Sequence, residues 1–235
     1  MFVGTSGFSY PGWKGRFYPS DLKSEDFLAF YAKKLNTVEI NSSFYAPPNQ
    51  VMVKSWSKKT GDEFKFAFKA PRQITHISKL DGPEAYAATD RLNTTLELLG
   101  SKKGPVLFQL PPYLRLNLEK LEKFLNNTQA LKKRVFEFRH ESWLNEEAYK
   151  LLDRYNAGFC IAETEDMQPV LRTTGDLAYF RLRKDKYDLE RMEEWSEIVE
   201  KTAKGLGETY VFLRHDETGE NAGYALKMLE RSKKE

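Results

Sequence analysis

Eight times along this chain a short apolar run of strand length recurs, and all but one of these runs is followed by a segment of helical character. The runs lie near Phe2–Thr5, Thr37–Ile40, Phe64–Lys69, Pro105–Leu110, Arg134–Phe138, Gly158–Ala162, Leu177–Leu182 and Thr209–Leu213. Helices are expected from about Ser24, as N-cap with Glu25 and Asp26 in the first turn, to about Leu35, and again after Pro48. Further helices are expected after Asp81-Gly82-Pro83, near the caps Asn117, Asn145 and Asp188, and over Ala222–Arg231. Such alternation argues for a parallel sheet with right-handed crossovers, and eight units argue for a closed (β/α)8, TIM-like barrel. The sixth unit is the exception: residues 163–176 carry no helix of ordinary length, so the sixth helix is expected to be short or missing.

Composition narrows the function classes. The 235 residues, 40% hydrophobic, suffice for one barrel domain spanning 1–235 and are too apolar for general disorder. A net charge of +3 is weak support for a polyanionic partner. The single Cys160 excludes an internal disulfide framework and a cysteine-cluster zinc site, and points to a reducing, cytoplasmic setting. No run approaches the roughly 20 apolar residues a membrane span needs. MFVGTSG lacks a basic leader with an apolar stretch, so no signal peptide is expected.

Charge sits where a buried strand should have none. Successive strand residues point to opposite faces. In FKFAFKA, Phe64, Phe66 and Phe68 share one face, and Lys65, Ala67 and Lys69 the other. Glu39 opposes Val38 and Ile40, and Glu137 and Arg139 oppose Phe136 and Phe138. Gln109 and Arg181 occupy similar places. Buried charge is costly unless paired or used, so the same exception near the C-terminal ends of several strands implies a shared polar site at the face where such barrels carry their active sites.

Motifs spread over nearly the whole chain carry a resemblance: GTSGFSYPGWKGRFYP (4–19), TVEINSSFY (37–45), FKFAFKAPRQITH (64–76), GPVLFQLPP (104–112), FEFRHESW (136–143), YFRLR (179–183) and GENAGYAL (219–226). In these the chain resembles the domain of unknown function 72 family, also called YecE-like. The resemblance implies a TIM-like barrel, similar in architecture to endonuclease IV and sugar-isomerase barrels, and implies no reaction. Its motif residues fall on Ser6, Tyr10, Trp13, Glu39, Asn41, Lys69, Gln109, Glu137, Arg139, His140 and Trp143. The chain departs from the pattern at Arg183-Lys184, where His-Gly is expected, and at Arg214-His215-Asp216, where an Asn-rich stretch is expected, leaving the part played by the last two strands open.

Each candidate has a chemical and a structural reading. Glu39 and Glu137 suit an acid/base or nucleophile pair, or a polar plug neutralised by Lys69, Arg139 and Arg181. Lys69 suits a Schiff-base nucleophile if desolvated, but Glu39 on the neighbouring strand is expected to hold it as a cation that pairs or binds an anion. Arg139 and Arg181, with Arg72 and Arg115 in nearby loops, suit a phosphate or carboxylate clamp, or neutralise Glu39, Glu137 and Glu163. Trp13, Tyr45, Tyr113 and Trp143 suit stacking on a sugar or base, or packing of the long first loop. Three histidines are too few for a multinuclear zinc centre, so no metal or other cofactor is expected, the alternative being one divalent cation on Glu39, Glu137 and Glu163.

The residues together point to a metal-independent hydrolase or lyase for a phosphorylated or glycosidic, nucleotide- or sugar-like substrate. Glu39, Lys69, Glu137 and Arg139 are the candidate catalytic groups. Ser6, Tyr10, Trp13, Asn41, Tyr45, Arg72, Gln109, Trp143 and Arg181 are the candidate substrate contacts. The alternative is a module that binds DNA or RNA without chemistry through Lys14, Arg16, Arg72, Arg115 and Lys184.

Overall fold

A computed structural model describes residues 1–233. Eight parallel strands close into a barrel in sequential order: β1 (Phe2–Ser6), β2 (Thr37–Ile40), β3 (Lys65–Lys69), β4 (Lys103–Gln109), β5 (Arg134–Glu137), β6 (Gly158–Glu163), β7 (Leu177–Leu182) and β8 (Glu208–Leu213). Helices α1 (Phe27–Lys34), α2 (Gln50–Lys58), α3 (Gly82–Leu96), α4 (Leu118–Asn127), α5 (Glu146–Arg154), α6 (Leu189–Ala203) and α7 (Glu220–Arg231) connect or follow them. No helix separates β6 from β7. That connection docks on the α5–β6 turn instead, where the Thr174 hydroxyl donates to the Ala157 carbonyl at 2.7 Å. Gly175, at φ +63°, passes so close to Asn156 that an added Cβ would stand 2.7 Å from its Oδ1.

The expected caps at Asn117, Asn145 and Asp188 form, each side chain accepting from the backbone N–H three residues on. Ser24 does not cap α1: residues Ser24–Asp26 make a tight 3₁₀ turn, and the regular helix starts only at Phe27. Among the described residues no helix is long and apolar enough to cross a membrane.

Two apolar layers follow from strand alternation. Phe66, Phe68, Phe108, Phe136 and Phe180 face the helices. Ala67, Leu107, Val135, Cys160, Ala162, Tyr179, Tyr210 and Phe212 fill the barrel's inside. Above them, toward the strand C-termini, the interior turns polar: Ser6, Glu39 and Arg181 are buried there, with Glu137 beside Gln109 in register. The strands thus lift a set of ionic side chains onto an apolar floor.

Candidate functional site

Arg181 organises the mouth of the barrel. Its Nε donates to Glu39 Oε1 and its Nη2 to Glu39 Oε2, each at 2.9 Å, while Nη1 donates to Glu137 Oε2 at 2.5 Å. The planar guanidinium suits this two-sided fork as an ammonium could not. Glu39 also accepts from Ser6 Oγ at 3.0 Å, Asn41 Nδ2 at 2.9 Å and the Tyr179 hydroxyl at 2.9 Å. Glu137 accepts from Gln109 Nε2 at 2.9 Å and pairs with Arg139. Burial alone would push both carboxyls up, but Arg181 overrides it: Glu39 is held below its ordinary value, and Glu137, with Arg139 and Gln109 adding to the effect, falls to about 2. Both are fixed anions whose lone pairs are spoken for.

Two cations beside this network lack such partners. Among the described residues, Lys69 has no carboxylate within 4.0 Å; its Nζ instead lies 4.1 Å from the centroid of the Phe44 ring. Burial, then the Arg181 charge, lower its pKa to about 8 despite Glu137 and Glu39 nearby. The expectation that Glu39 holds Lys69 is therefore corrected: Arg181, reaching across the barrel from β7, saturates Glu39 first. Arg183, two residues further along the same face as Arg181, donates to Ser6 Oγ at 2.6 Å and has no carboxylate within 4.0 Å among the described residues. Burial and Arg181 lower its pKa to about 10.

Cavities of about 690 Å³ and about 340 Å³ share Tyr10 as a lining residue. The larger is lined by Asp185, Arg214, His215 and Asp216, the smaller by Asn41, Phe8 and Trp56. Tyr10 stacks on His215 with ring centroids 4.6 Å apart and 5° between planes, and its hydroxyl donates to the Ser6 carbonyl at 2.7 Å. Burial pushes Tyr10 up to about 12. The segments that depart from the family pattern thus build this corner. Arg214 pairs with Asp185, and the Asp216 carboxylate accepts from the N–H groups of Glu220 and Asn221, filling the positive end of α7.

Other expected residues stand elsewhere. Trp13 is 0% exposed and donates to the Asp216 carbonyl at 2.8 Å, so it packs the first loop and cannot stack on a ligand. Trp143, 2% exposed, stacks on Phe138 at 4.6 Å and donates to the Leu114 carbonyl at 2.7 Å. Both corrections have one cause: a large ring whose N–H finds a backbone acceptor is most stable buried. Tyr45 and Tyr113 are exposed on the rim, as are Arg72 and Arg115. His140 bonds Ser142.

Glu163 ends β6 on the helix side. It accepts from Arg191 at 2.5 Å and from the Tyr187 hydroxyl and Trp195 Nε1, each at 2.9 Å. It shares neither Arg139 nor Arg181 with the mouth, and cannot join Glu39 and Glu137 around one cation, because the strand's pleat points it the other way. Among the described residues no group of three or more His, Cys, Asp or Glu is arranged to hold a metal. Arg183, Arg214 and His215, which the structure brings to this mouth, were not among the expected candidates. The signal for Arg183 lay in YFRLR, where Tyr179, Arg181 and Arg183 alternate onto one face. His215 and Arg214 lie beyond their strand, where parity no longer applies.

The family model described as protein of unknown function DUF72 matches residues 2–235. A solved DUF72 family protein from Thermotoga maritima superposes with a TM-score of 0.85 at 26% identity, covering 99% of this chain and 98% of that one. The UPF0759 protein YunF of Bacillus subtilis is 26% identical over 156 residues, 64% of this chain and 54% of that protein. The UPF0759 protein YecE of Escherichia coli is 34% identical over 80 residues, 34% of this chain and 27% of that one. The matched stretches thus span about half or less of these curated relatives. A D-psicose 3-epimerase from Clostridium cellulolyticum, solved with D-tagatose, shares the fold at a TM-score of 0.59 and 11% identity, covering 99% of this chain and 98% of that one.

Proposed function

The chain belongs to the DUF72 family, proteins of unknown function, and from that premise we propose that it is a hydrolase or lyase that takes an anionic, sugar-sized substrate at the barrel mouth. One observation carries this reading. Four cationic side chains, Arg139, Arg181, Lys69 and Arg183, surround only two carboxylates, and Lys69 and Arg183 are left without a carboxylate partner among the described residues. Excess positive charge in a half-buried site is costly unless an anion completes it. The cavity of about 690 Å³, lined by Tyr10, Arg214 and His215 within electrostatic reach of Arg183, has room for a ligand of sugar-phosphate size.

The roles follow from the hydrogen bonding. Glu39 and Glu137 are too strongly held as anions to give up or take a proton near neutrality, so they position Arg181. Lys69, its pKa lowered to about 8, exchanges its proton close to physiological pH, and with Arg183 it would stabilise charge developing on the substrate. Tyr10 and His215 line the larger cavity, where a sugar ring would lie.

Thermal-shift titration tests the reading. Sugar phosphates should stabilise the protein, neutral sugars should not, and Arg183→Gln should weaken the effect about tenfold, the loss of one charge-assisted contact. Equal stabilisation by neutral sugars would remove the anion from the argument. A second reading, nucleic-acid binding without chemistry, is favoured by the exposed Tyr45 and Tyr113, the latter with Lys79 at 5.6 Å from its ring. Oligonucleotide binding that falls steeply with salt, with no response to small anions, would establish it instead.

A further inference from the structure

We propose that Lys69 forms a Schiff base with the carbonyl carbon of a phosphorylated aldehyde or ketone, whose phosphate rests on Arg183. This deepens the function proposed above and rests on it: the substrate becomes a carbonyl compound held covalently.

The geometry separates Lys69 from a merely anion-binding lysine. It sits at the end of β3, so a strand rather than a loop sets its position. Its face is that of Ala67, toward the barrel interior. Two buried carboxylates occupy the same interior, yet the guanidinium of Arg181 turns both away from the amine. Phe44 covers the nitrogen at 4.1 Å, and its ring is wedged edge-on between Tyr45, at 5.0 Å, and His76, at 4.9 Å. That cover shields the amine while leaving it without a fixed counter-ion. The aromatic face favours the ammonium, while burial and the Arg181 charge oppose it. Ser6 Oγ meanwhile holds Arg183 at 2.6 Å, within electrostatic reach of Lys69, so the anion anchor and the amine serve one ligand.

The step balances without oxidant or reductant. The Nζ lone pair attacks the carbonyl carbon and forms the C–N bond, and the carbonyl π pair moves to oxygen. The oxygen takes the two protons the nitrogen releases and leaves as water when the C–O bond breaks, giving the imine. On protonation from solvent this becomes an iminium that draws electrons from the adjacent C–H bond, its proton passing to water. That is the electron sink a lyase needs.

The experiment is reductive trapping. The 235-residue chain is incubated with glyceraldehyde 3-phosphate at pH 8, reduced with borohydride and peptide-mapped by mass spectrometry. Glycerol 3-phosphate, which lacks the carbonyl, is titrated in parallel by thermal shift. At pH 8 an amine with a pKa of about 8 is free in roughly a hundredfold greater fraction than an exposed lysine. One adduct per chain is therefore expected, on Lys69, at least about tenfold above any other lysine, with a yield rising through a midpoint near pH 8. Lys69→Arg, and Lys69→Met as a second blank, should lose that adduct. Adducts scattered over surface lysines while glycerol 3-phosphate still binds would overturn the Schiff base and leave the anion site standing. No response to either compound would overturn both. Mapping the wild-type protein keeps the test independent of whether a variant folds.

Discussion

Two knots of buried charge sit on opposite faces of this barrel's wall. On the outer face Glu163, 0% exposed, is gripped by Arg191, Tyr187 and Trp195 and ties β6 to α6. On the inner face Glu39 and Glu137, equally buried, are gripped by Arg181, Tyr179, Ser6, Asn41 and Gln109. Both knots satisfy their carboxylates, and both hold them below the ordinary range against the pull of burial. The difference lies next door. Arg191 is shared with Glu194 on the same helix, so the outer knot is closed. The inner knot leaves Lys69 and Arg183 over. A satisfied buried carboxylate is therefore no mark of a site; the surplus of opposite charge around the inner pair is what the proposed function rests on.

The largest expected break is Arg181→Met. It leaves two carboxylates buried without their shared partner, which costs about 3–5 kcal/mol and should lower Tm by roughly 10 °C or more in a circular-dichroism melt. Adding Glu39→Gln and Glu137→Gln should recover part of the loss. A melt unchanged by Arg181→Met would show that the inner knot is not what holds the mouth.

Glu163→Gln comes next. It leaves half-exposed Arg191 to Glu194 alone and weakens the hydrogen bonds from Tyr187 and Trp195, so a cost of about 1–3 kcal/mol is expected. Sugar-phosphate affinity should not move, because the outer knot touches neither cavity. A matching loss of affinity would erase the distinction between the knots.

The smallest effect has the opposite sign. Lys69 falls to about 8 in the folded barrel against 10.5 when free, so between those values the unfolded chain binds the extra proton and the wild type gains stability as pH rises. Below pH 8 the wild type carries the full penalty. Lys69→Met should thus be the more stable protein at pH 7, by roughly 1 kcal/mol or about 2–4 °C in Tm, and its advantage should shrink as pH approaches 10. Anion binding should weaken in the same variant. A variant less stable at pH 7 would mean that Lys69 is held by a partner after all.

How legible the site was depended on the residue. Glu39, Glu137 and Lys69 stood out because each breaks an apolar strand, and strand alternation is a local property. Arg183 carried the same signal but read as a departure from the family pattern. Trp13 and Trp143 stayed open between stacking and packing because a loop aromatic looks alike in sequence whether it covers a ligand or finds a backbone acceptor. Only the packing of Trp13 beneath Asp216, 203 residues away, separates the two.

Alternation and capping by themselves determined the closed barrel, the helix missing after β6, and the two faces of β2, β3 and β5, because a period of two or a cap three residues long is written within a handful of neighbours. Which cation answers which anion was decided only by tertiary structure. Arg181 meets Glu39 across 142 residues and Glu137 across 44, through the hollow of the barrel and not along any ladder. Coulomb attraction depends on distance in space, and until the sheet closes on itself no stretch of chain contains that distance.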